Sequence, residues 1–376
     1  MNISEAPSRA KMIVRENDIL LSTTDPSRGA ICLIDKRFDG FIASTGFAVV
    51  RKIKVRSLNR KYLFYALRFP STLRQFEQRS TGGLYPIITK DELRKVLIPF
   101  PSKETQIRIV ALMARAHAFQ KENEIEAKQL LNRLDSYLLE QLDMKIPKVK
   151  QEKIFIVNAE DIQEKRYDVE YHQFHFQFLN QLKNSIQINK LIVDYQKGIE
   201  VGSKKYVSDG IPFVRVSDMN ENHLNLKQVD KKIRESLFEE LKTKFCPKKG
   251  EILYTKDGTI GLNYLVTKEE KYIVSHAFLR LICENIECAQ FLKIILSLQV
   301  YREIANKESI GTIIKHLNLK EFLKIPIPFP NKEKRKKIIR EVQKIKAQVQ
   351  SLKTEATQAI AKATEEVEEI LFKNQK

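Results

Sequence analysis

The chain contains one long internal repeat. The stretch from Ser80 to Pro101, STGGLYPIITKDELRKVLIPFP, returns 229 positions later as the stretch from Ser309 to Pro330, SIGTIIKHLNLKEFLKIPIPFP. Each copy runs directly into a long charged segment with apolar residues at heptad spacing. A repeat of this length, with a strand-rich part and a helical part in each copy, lies outside the range of solenoid repeats and predicts a duplicated domain.

The size and charge of the chain narrow the possible partners. A chain of 376 residues, 43% of them hydrophobic, has room for two or three domains, each with its own core. Its net charge of +19 and pI near 9.5 favour a polyanionic partner, for which nucleic acid is the first choice. The alternative is a basic soluble protein without such a partner.

The cysteines and the N-terminus predict a cytoplasmic protein. Cys32, Cys246, Cys283 and Cys288 form no CxxC pair and have no histidine at zinc-finger spacing, so they are interpreted as reduced, packed thiols. The first residues lack an apolar signal segment, and no apolar run approaches the roughly 18 residues that a membrane span needs. We therefore expect no metal site and no membrane association.

Short strands and helices are predicted in both halves. In the first half, strands are predicted at 18–24, 30–34, 41–50 and 96–98, the last at a sheet edge because prolines follow it. In the second half, an aromatic stretch occupies 166–182 and a buried strand with a polar exit occupies 210–218. The pattern around His276 and Phe278 predicts a strand in which both side chains are packed in the core.

Two long helices are predicted, beginning after the N-caps Ser102 and Asn331. The apolar seam of the first, interrupted by Gln120 and Asn123, consists of Ile109, Met113, Ala116, Ala127, Leu130, Leu134 and Tyr137. The seam of the second consists of Ile338, Val342, Ile345, Val349, Leu352, Ala356, Ala359 and Ala363. Such seams favour pairing of the two helices, and the connectivity of the repeat suggests an antiparallel pair. The alternative is that each helix packs on its own domain.

Several motifs together resemble the specificity subunits of type I restriction-modification enzymes. They are the stretches 21–31 and 44–51, the Ser80–Pro86 loop and the Ile98–Pro101 motif in the first half, with 210–218 and 250–261 in the second. The resemblance implies a mixed α/β (α+β) fold with two target recognition domains joined by two long antiparallel, coiled-coil-like helices. The implied bounds are 1–101 for a partial first recognition domain, 102–146 for the first helix, 147–330 for the second domain and 331–376 for the second helix.

The resemblance also implies partners. In that family each recognition domain reads one half of a split site in double-stranded DNA, and the paired helices fix the spacing and dock methyltransferase subunits, through which restriction subunits join. One departure matters: nothing upstream of Asn17 corresponds to residues 166–233. The first recognition domain is therefore expected to be truncated at its N-terminus and to read DNA poorly.

Motifs for catalysis are missing from the sequence. It contains no GxxxxGK[ST] phosphate loop, no Gly-rich dinucleotide fingerprint after a strand and no Asn/Asp-Pro-Pro-aromatic element of the kind amino-methyltransferases carry. We therefore predict a non-enzymatic chain without a cofactor. An enzyme acting alone is a distant alternative, and a scaffold that keeps the partner-binding helices but lacks full DNA specificity is the closer one.

DNA contacts are predicted on loops that carry basic side chains, hydroxyl groups and main-chain N–H groups. Such groups bind phosphates, and polar side chains on loops bind base edges. In the first half the candidates are Thr23, Thr24, Ser27, Arg28, Thr81 and Tyr85. In the second half they are Lys197, Lys204, Lys205, Tyr206, Arg215, Ser217, Asp218, Lys256, Asp257, Thr259, Lys315 and His316. For each of them the alternative is an exposed, solvated residue with no contact.

Overall fold

A computed structural model describes residues 9–83, 85–146, 178–179, 182–220, 223–311 and 315–372. The aromatic stretch predicted at 166–182 lies outside these residues, apart from positions 178, 179 and 182. The chain divides into two compact units. Unit one comprises residues 1–128 and 349–376, and unit two comprises residues 129–348. Each unit therefore takes its residues from both halves of the sequence.

Unit one is built on a three-stranded antiparallel sheet in the order β3-β2-β5, beside a β1-β4 pair. The strands are β1 (Ala10–Ile13), β2 (Ile19–Ser22), β3 (Ile31–Leu33), β4 (Ile42–Ser44) and β5 (Phe47–Val50). Alternate residues of β2, Ile19 and Leu21, are buried against Leu63 and Phe76, as expected for a sheet covered on one face. The strand predicted at 41–50 is thus two strands, which a turn sends to different sheets.

Three short helices complete the strand-rich part of unit one: α1 (Arg60–Ala66), α2 (Pro70–Arg79) and α3 (Lys90–Arg94). Asn59 caps α1 by accepting hydrogen bonds from the N–H groups of Lys61 and Tyr62. Pro70 begins α2 at a position where a missing N–H costs nothing. These helices bring the buried Leu63 and Phe76 onto the sheet.

The strand predicted at 96–98 is not formed in the described part of unit one, so that prediction was wrong. Its counterpart in the repeat, residues 325–327, overlaps the strand Pro326–Pro328, with which Ser185–Gln187 pairs. An extended segment becomes a strand only when another segment supplies its hydrogen bonds. Among the described residues of unit one, no strand pairs with 96–98.

Unit two contains two four-stranded sheets. One is antiparallel in the order β14-β13-β16-β7, and the other has the order β15-β9-β12-β8 with β15 and β9 parallel. Smaller pairs are β10-β11, β17-β18 and β19-β6. The strands are β6 (Ser185–Gln187), β7 (Ile192–Lys197), β8 (Tyr206–Val207), β9 (Ile211–Val214), β10 (Met219–Asn220), β11 (His223–Leu224), β12 (Lys232–Ile233), β13 (Ile252–Thr255), β14 (Asn263–Leu265), β15 (Ile273–Val274), β16 (Phe278–Cys283), β17 (Ser309–Ile310), β18 (His316–Leu317) and β19 (Pro326–Pro328).

The helices of unit two pack on both of its four-stranded sheets. They are α5 (Glu235–Phe245), α6 (Ile286–Ser297), α7 (Gln299–Lys307) and α8 (Leu319–Phe322), with parts of the long helices described next. Phe291, Leu292 and Ile295 of α6 are fully buried in one core with Tyr254 of β13. Beside this core, the buried Arg280 forms two hydrogen bonds of 2.7 and 2.9 Å with Glu251, so both charges are compensated.

The two predicted long helices are α4 (Lys103–Gln141) and α9 (Lys332–Phe372). As predicted, Ser102 and Asn331 cap them, accepting hydrogen bonds from Thr105 and Lys334. In unit one the beginning of α4 and the end of α9 share a hydrophobic cluster that includes Met113, Ala116, Ala363 and Val367. In unit two the end of α4 and the beginning of α9 share another, including Leu134, Leu138, Ile338 and Val342. This order makes the pair antiparallel, which confirms the predicted pairing of the seams.

Candidate nucleic-acid interface

The candidate site of unit two is centred on Asp257. This residue follows β13, and a bridge with His316 joins it to β18. Two main-chain hydrogen bonds fix the same junction, from Leu317 N to Lys256 O at 2.8 Å and from Gly258 N to Lys315 O at 3.0 Å. Two stretches that are distant in sequence thus place the candidates at 256–257 and 315–316 side by side.

The Asp257 carboxylate holds two basic side chains. It is 8% exposed and accepts hydrogen bonds from the Lys256 ammonium and from His316 Nδ1, the latter at 2.8 Å. Burial disfavours its ionisation, but the hydrogen bonds from Lys256 and His316 outweigh that effect, and the pKa of Asp257 is lowered. Because His316 is exposed and uses Nδ1 for this bond, its Nε2 is available to an external group.

His276 extends the cluster and was not among the predicted site residues. Its Nδ1 lies 2.7 Å from Glu200 Oε2, and its Nε2 lies 3.8 Å from Asp257 Oδ2. The prediction that His276 is packed in the core was wrong, because the residue precedes β16 and is exposed, whereas Phe278 inside the strand is fully buried as predicted. The strand begins only at Phe278, and no local signal in the sequence places His276 outside it.

Gly198 allows the segment before Glu200 to lie close to the loop that carries His276. A Cβ atom at position 198 would lie 2.1 Å from the carbonyl oxygen of Ser275, so no larger residue fits without moving the backbone. Lys197, the last residue of β7, is exposed beside it. The position therefore requires glycine for close packing.

Tyr206, Arg215 and Asp218 lie on a neighbouring part of unit two. The Tyr206 ring packs on Phe213 at 5.5 Å, and Lys231 lies over its other side at 5.6 Å. Asp218 accepts a hydrogen bond of 2.8 Å from the main-chain N–H of Arg215, so its carboxylate shapes the turn after β9. Burial, with the charge of Glu200 adding to it, raises the pKa of Tyr206.

Other candidates of unit two are exposed. Lys204 and Lys205 lie in one turn, Ser217 lies in the turn after β9, and Lys315 lies beside the Asp257 cluster. Thr259 is exposed too, in a loop that Thr255 braces by donating a hydrogen bond of 2.6 Å to its carbonyl. These side chains form a polar and basic surface on ordered turns.

The candidates of unit one also lie together. Ile87 bridges both Thr24 and Thr81, and Asp25 N donates to Pro86 O at 2.7 Å, which joins the loop after β2 to the loop that carries Tyr85. Tyr85 is 69% exposed. The remaining candidates are partly engaged: Thr23 Oγ1 donates to Gly46 O at 2.9 Å, Ser27 donates weakly to Asp25, and Arg28 forms an ion pair with Asp25.

The described residues form neither a metal site nor a membrane span. No group of three or more histidine, cysteine or acidic residues in the described part of the chain is arranged to hold a metal ion. Among the described helices, none is long and apolar enough to cross a membrane. The chemistry on the surface is that of hydrogen bonding and charge.

The chain thus combines α/β units, two long helices and a polar, basic loop surface. The family described as "Type I restriction modification DNA specificity domain" matches residues 2–136 and 192–362. The chain belongs to this family.

Two relatives and one solved structure are similar to the chain. The specificity subunit of the type I restriction enzyme HindI from Haemophilus influenzae is 29% identical over 114 residues, 30% of this chain and 25% of that protein. The MjaVIII specificity subunit from Methanocaldococcus jannaschii is 23% identical over 96% of this chain and 80% of that protein. The aligned part of this chain thus spans a quarter of the bacterial relative and four fifths of the archaeal one.

The fold agrees with a chain from a study of the "complex assembly and conformational transition of the type I R-M system". The TM-score is 0.50 at 19% identity, covering 98% of this chain and 84% of that chain. This agreement supports the predicted architecture of α/β domains with two long helices.

Proposed function

We propose that this chain is the DNA-recognition subunit of a type I restriction-modification complex and reads a bipartite site in double-stranded DNA. Its family membership supports the class of function. The observation that carries the proposal is the cluster in which Asp257 holds Lys256 and His316 beside the exposed Lys315. Such preordered donors on loops suit contacts with phosphates and base edges.

The candidate residues divide by role. We assign phosphate contacts to the exposed basic residues Lys197, Lys204, Lys205, Lys315 and Arg28. The attraction between such positive charges and phosphates does not depend on the DNA sequence. Base contacts fall to side chains that can both donate and accept, namely His316, Thr259, Ser217, Thr81 and Tyr85. Asp257 and Asp218, whose carboxylates hold neighbouring groups, are positioning residues.

The proposed functional domains follow the repeat. They are a partial recognition domain at 1–101, a first helix at 102–146, a second recognition domain at 147–330 and a second helix at 331–376. In this scheme the helices dock methyltransferase subunits, and restriction subunits join through the complex. The chain performs no catalysis, needs no cofactor and acts in the cytoplasm, where the DNA is.

A salt titration of DNA binding tests the proposal. The purified chain is mixed with labelled duplexes, and the dissociation constant is measured from about 50 to 200 mM salt. A DNA-binding chain loses affinity along a straight line of log K against log salt, because bound phosphates release counterions. No duplex binding at 50 mM salt overturns DNA recognition by this chain. Methyl transfer from S-adenosylmethionine to DNA by the chain alone overturns the absence of catalysis.

A second function is a scaffold that docks methyltransferase subunits without full DNA specificity. The missing strand at 96–98 in the described part of unit one favours it, since a recognition domain with an incomplete sheet orders its loops less well. The scaffold binds methyltransferase subunits in a pull-down but binds all duplexes equally. A preference for one bipartite sequence rules this alternative out.

A further inference from the structure

In unit two, strand β6 pairs with the edge of strand β19. Ile327 pairs with Ile186 of β6, and the same ladder continues with Phe329 N to Asn184 O at 2.8 Å and Ile188 N to Ile325 O at 3.1 Å. Every second residue of 325–329 therefore faces β6. The residue between, Pro326, faces away and accepts a hydrogen bond of 2.9 Å from the Tyr301 hydroxyl.

The repeat places Val96, Ile98 and Phe100 of unit one at the positions of Ile325, Ile327 and Phe329. The main-chain groups of Leu97 and Pro99, which face the opposite side, form hydrogen bonds here as well. Gln75 closes a pair of hydrogen bonds with the main chain of Leu97, at 2.8 and 2.9 Å, and the Tyr62 hydroxyl donates to Pro99 O at 2.7 Å. This side of the segment therefore matches its counterpart in unit two.

The other side of the same segment is open. No described residue accepts a hydrogen bond from the N–H of Ile98 or of Phe100. Unpaired main-chain groups in a row form the template to which a further strand adds. Among the described residues, the edge in unit one therefore has no counterpart of the strand that β6 provides in unit two.

A groove lies along this segment. Its volume is about 550 Å³, and its lining includes Ser71, Gln75, Leu97, Phe100, Thr105 and Ile370. Phe100 is 56% exposed, whereas its counterpart Phe329 packs on Phe291 at 5.9 Å and under Arg335 at 4.1 Å. Leu97, at 74% exposed, adds apolar area beside it. The groove thus combines unpaired main-chain groups with uncovered apolar side chains.

We propose that the 96–100 edge of unit one is a docking site for one extended β-strand of a partner polypeptide. The expected strand has the chemistry of 184–188, in which isoleucines alternate with polar residues. Its main chain pairs antiparallel with Ile98 and Phe100, which gives affinity, and its alternate apolar side chains cover the groove, which gives selectivity. The site is separate from the proposed DNA contacts and does not depend on them.

A synthetic peptide of residues 183–190, labelled with a fluorophore, tests the proposal with the full chain. We expect saturable binding and slower hydrogen–deuterium exchange in the 98–101 segment, where prolines leave only the amides of Ile98 and Phe100 to report. Methylation of the peptide nitrogen at Ile186, which faces the edge, should weaken binding about tenfold, as expected for one lost hydrogen bond. The same methylation at Gln187, which faces away, should change it less than twofold.

A variant pair provides the test on the protein side. Ile98→Pro removes the facing N–H and should abolish peptide binding, whereas Ile98→Val keeps the N–H and should bind as the parent does. If the Ile98→Pro variant unfolds, the difference in binding between the two methylated peptides still tests the proposal. The proposal is overturned if the peptide fails to bind, if both methylations act equally, or if the amides of Ile98 and Phe100 are already protected without peptide.

Discussion

Asn123 Nδ2 donates a hydrogen bond of 3.2 Å to the carbonyl oxygen of Leu352, a residue 229 positions later. That separation equals the interval of the sequence repeat, so the two residues occupy equivalent positions in the two long helices. When equivalent helices pair antiparallel, equivalent positions meet at one level only, the two-fold axis of the pair. The contact therefore marks this axis, with a buried polar side chain on one helix and an apolar one on the other.

Replacing Asn123 by leucine should stabilise the chain but loosen the register of the helix pair. A polar residue in an apolar seam costs stability while it favours one alignment. We expect the Asn123→Leu variant to gain about 1 kcal/mol in the free energy of unfolding. Asn132→Leu, at an exposed position of the same helix, is the control and should change little. Chemical denaturation measures both, and a clear loss of stability in Asn123→Leu contradicts the assignment.

Replacing Asp257 by asparagine should destabilise unit two in a pH-dependent manner. The folded state lowers the pKa of Asp257, so the charged form contributes stability above the unfolded value near 3.8, and that contribution is lost as the pH falls through the lower folded value. We expect Asp257→Asn to cost about 1–3 kcal/mol at pH 7 and less below pH 4. Thermal unfolding from pH 3 to pH 7 measures this, with Asp230→Asn as the exposed control. A cost that does not change with pH argues against the ionised cluster.

Replacing Lys204 and Lys205 by glutamine should weaken DNA binding and lower its salt dependence. Each phosphate contact adds about one unit to the slope of log K against log salt, so the double variant should lose about one to two units. Lys362→Gln, on the exposed face of α9, keeps the parent slope as the control. An unchanged slope in the double variant removes these lysines from the proposed interface.

Replacing Lys293 by methionine should stabilise unit two near neutral pH. Burial, together with the charge and contact of Lys346 and the charge of Arg302, lowers the pKa of Lys293 to about 6. The destabilisation caused by this lysine is full below about pH 6 and fades as the pH rises toward about 10.4, the ordinary lysine value. We expect a gain of about 1–2 kcal/mol at pH 7, shrinking by pH 9.5. Melting temperatures from pH 7 to pH 9.5 measure this gain, and Lys344→Met, at an exposed position, is the control. A gain in stability that grows with pH would contradict the prediction.

Local patterns in the sequence predicted individual helices and strands better than they predicted which segments pair with each other. Ser102 and Asn331 identified the starts of both long helices, because an N-cap acts within one turn. The apolar seams predicted that the helices pair, because burial there follows a period that one helix already displays, and the connectivity of the repeat gave the antiparallel direction. The strand at 96–98 was predicted wrongly, since an extended segment becomes a strand through a distant partner.

The candidate site shows the same limit. Lys256, Asp257, Lys315 and His316 were predicted as separate loop residues, and the structure joins them in one cluster. His276 was missed because it was assigned to the apolar strand that contains Phe278, while its contact Glu200 is 76 residues away. Pairings over such distances depend on strand order and register, which are not visible in local spacing.

Methylation mapping tests the central claim most directly. Genomic DNA is sequenced for modified bases from cells that express the methyltransferase subunits with the parent chain, without the chain, and with the Lys204→Gln, Lys205→Gln variant. If the chain is the DNA-recognition subunit, one bipartite sequence is methylated with the parent chain, none is methylated without it, and fewer sites are methylated with the variant. The same methylated sequence with and without the chain would contradict the account.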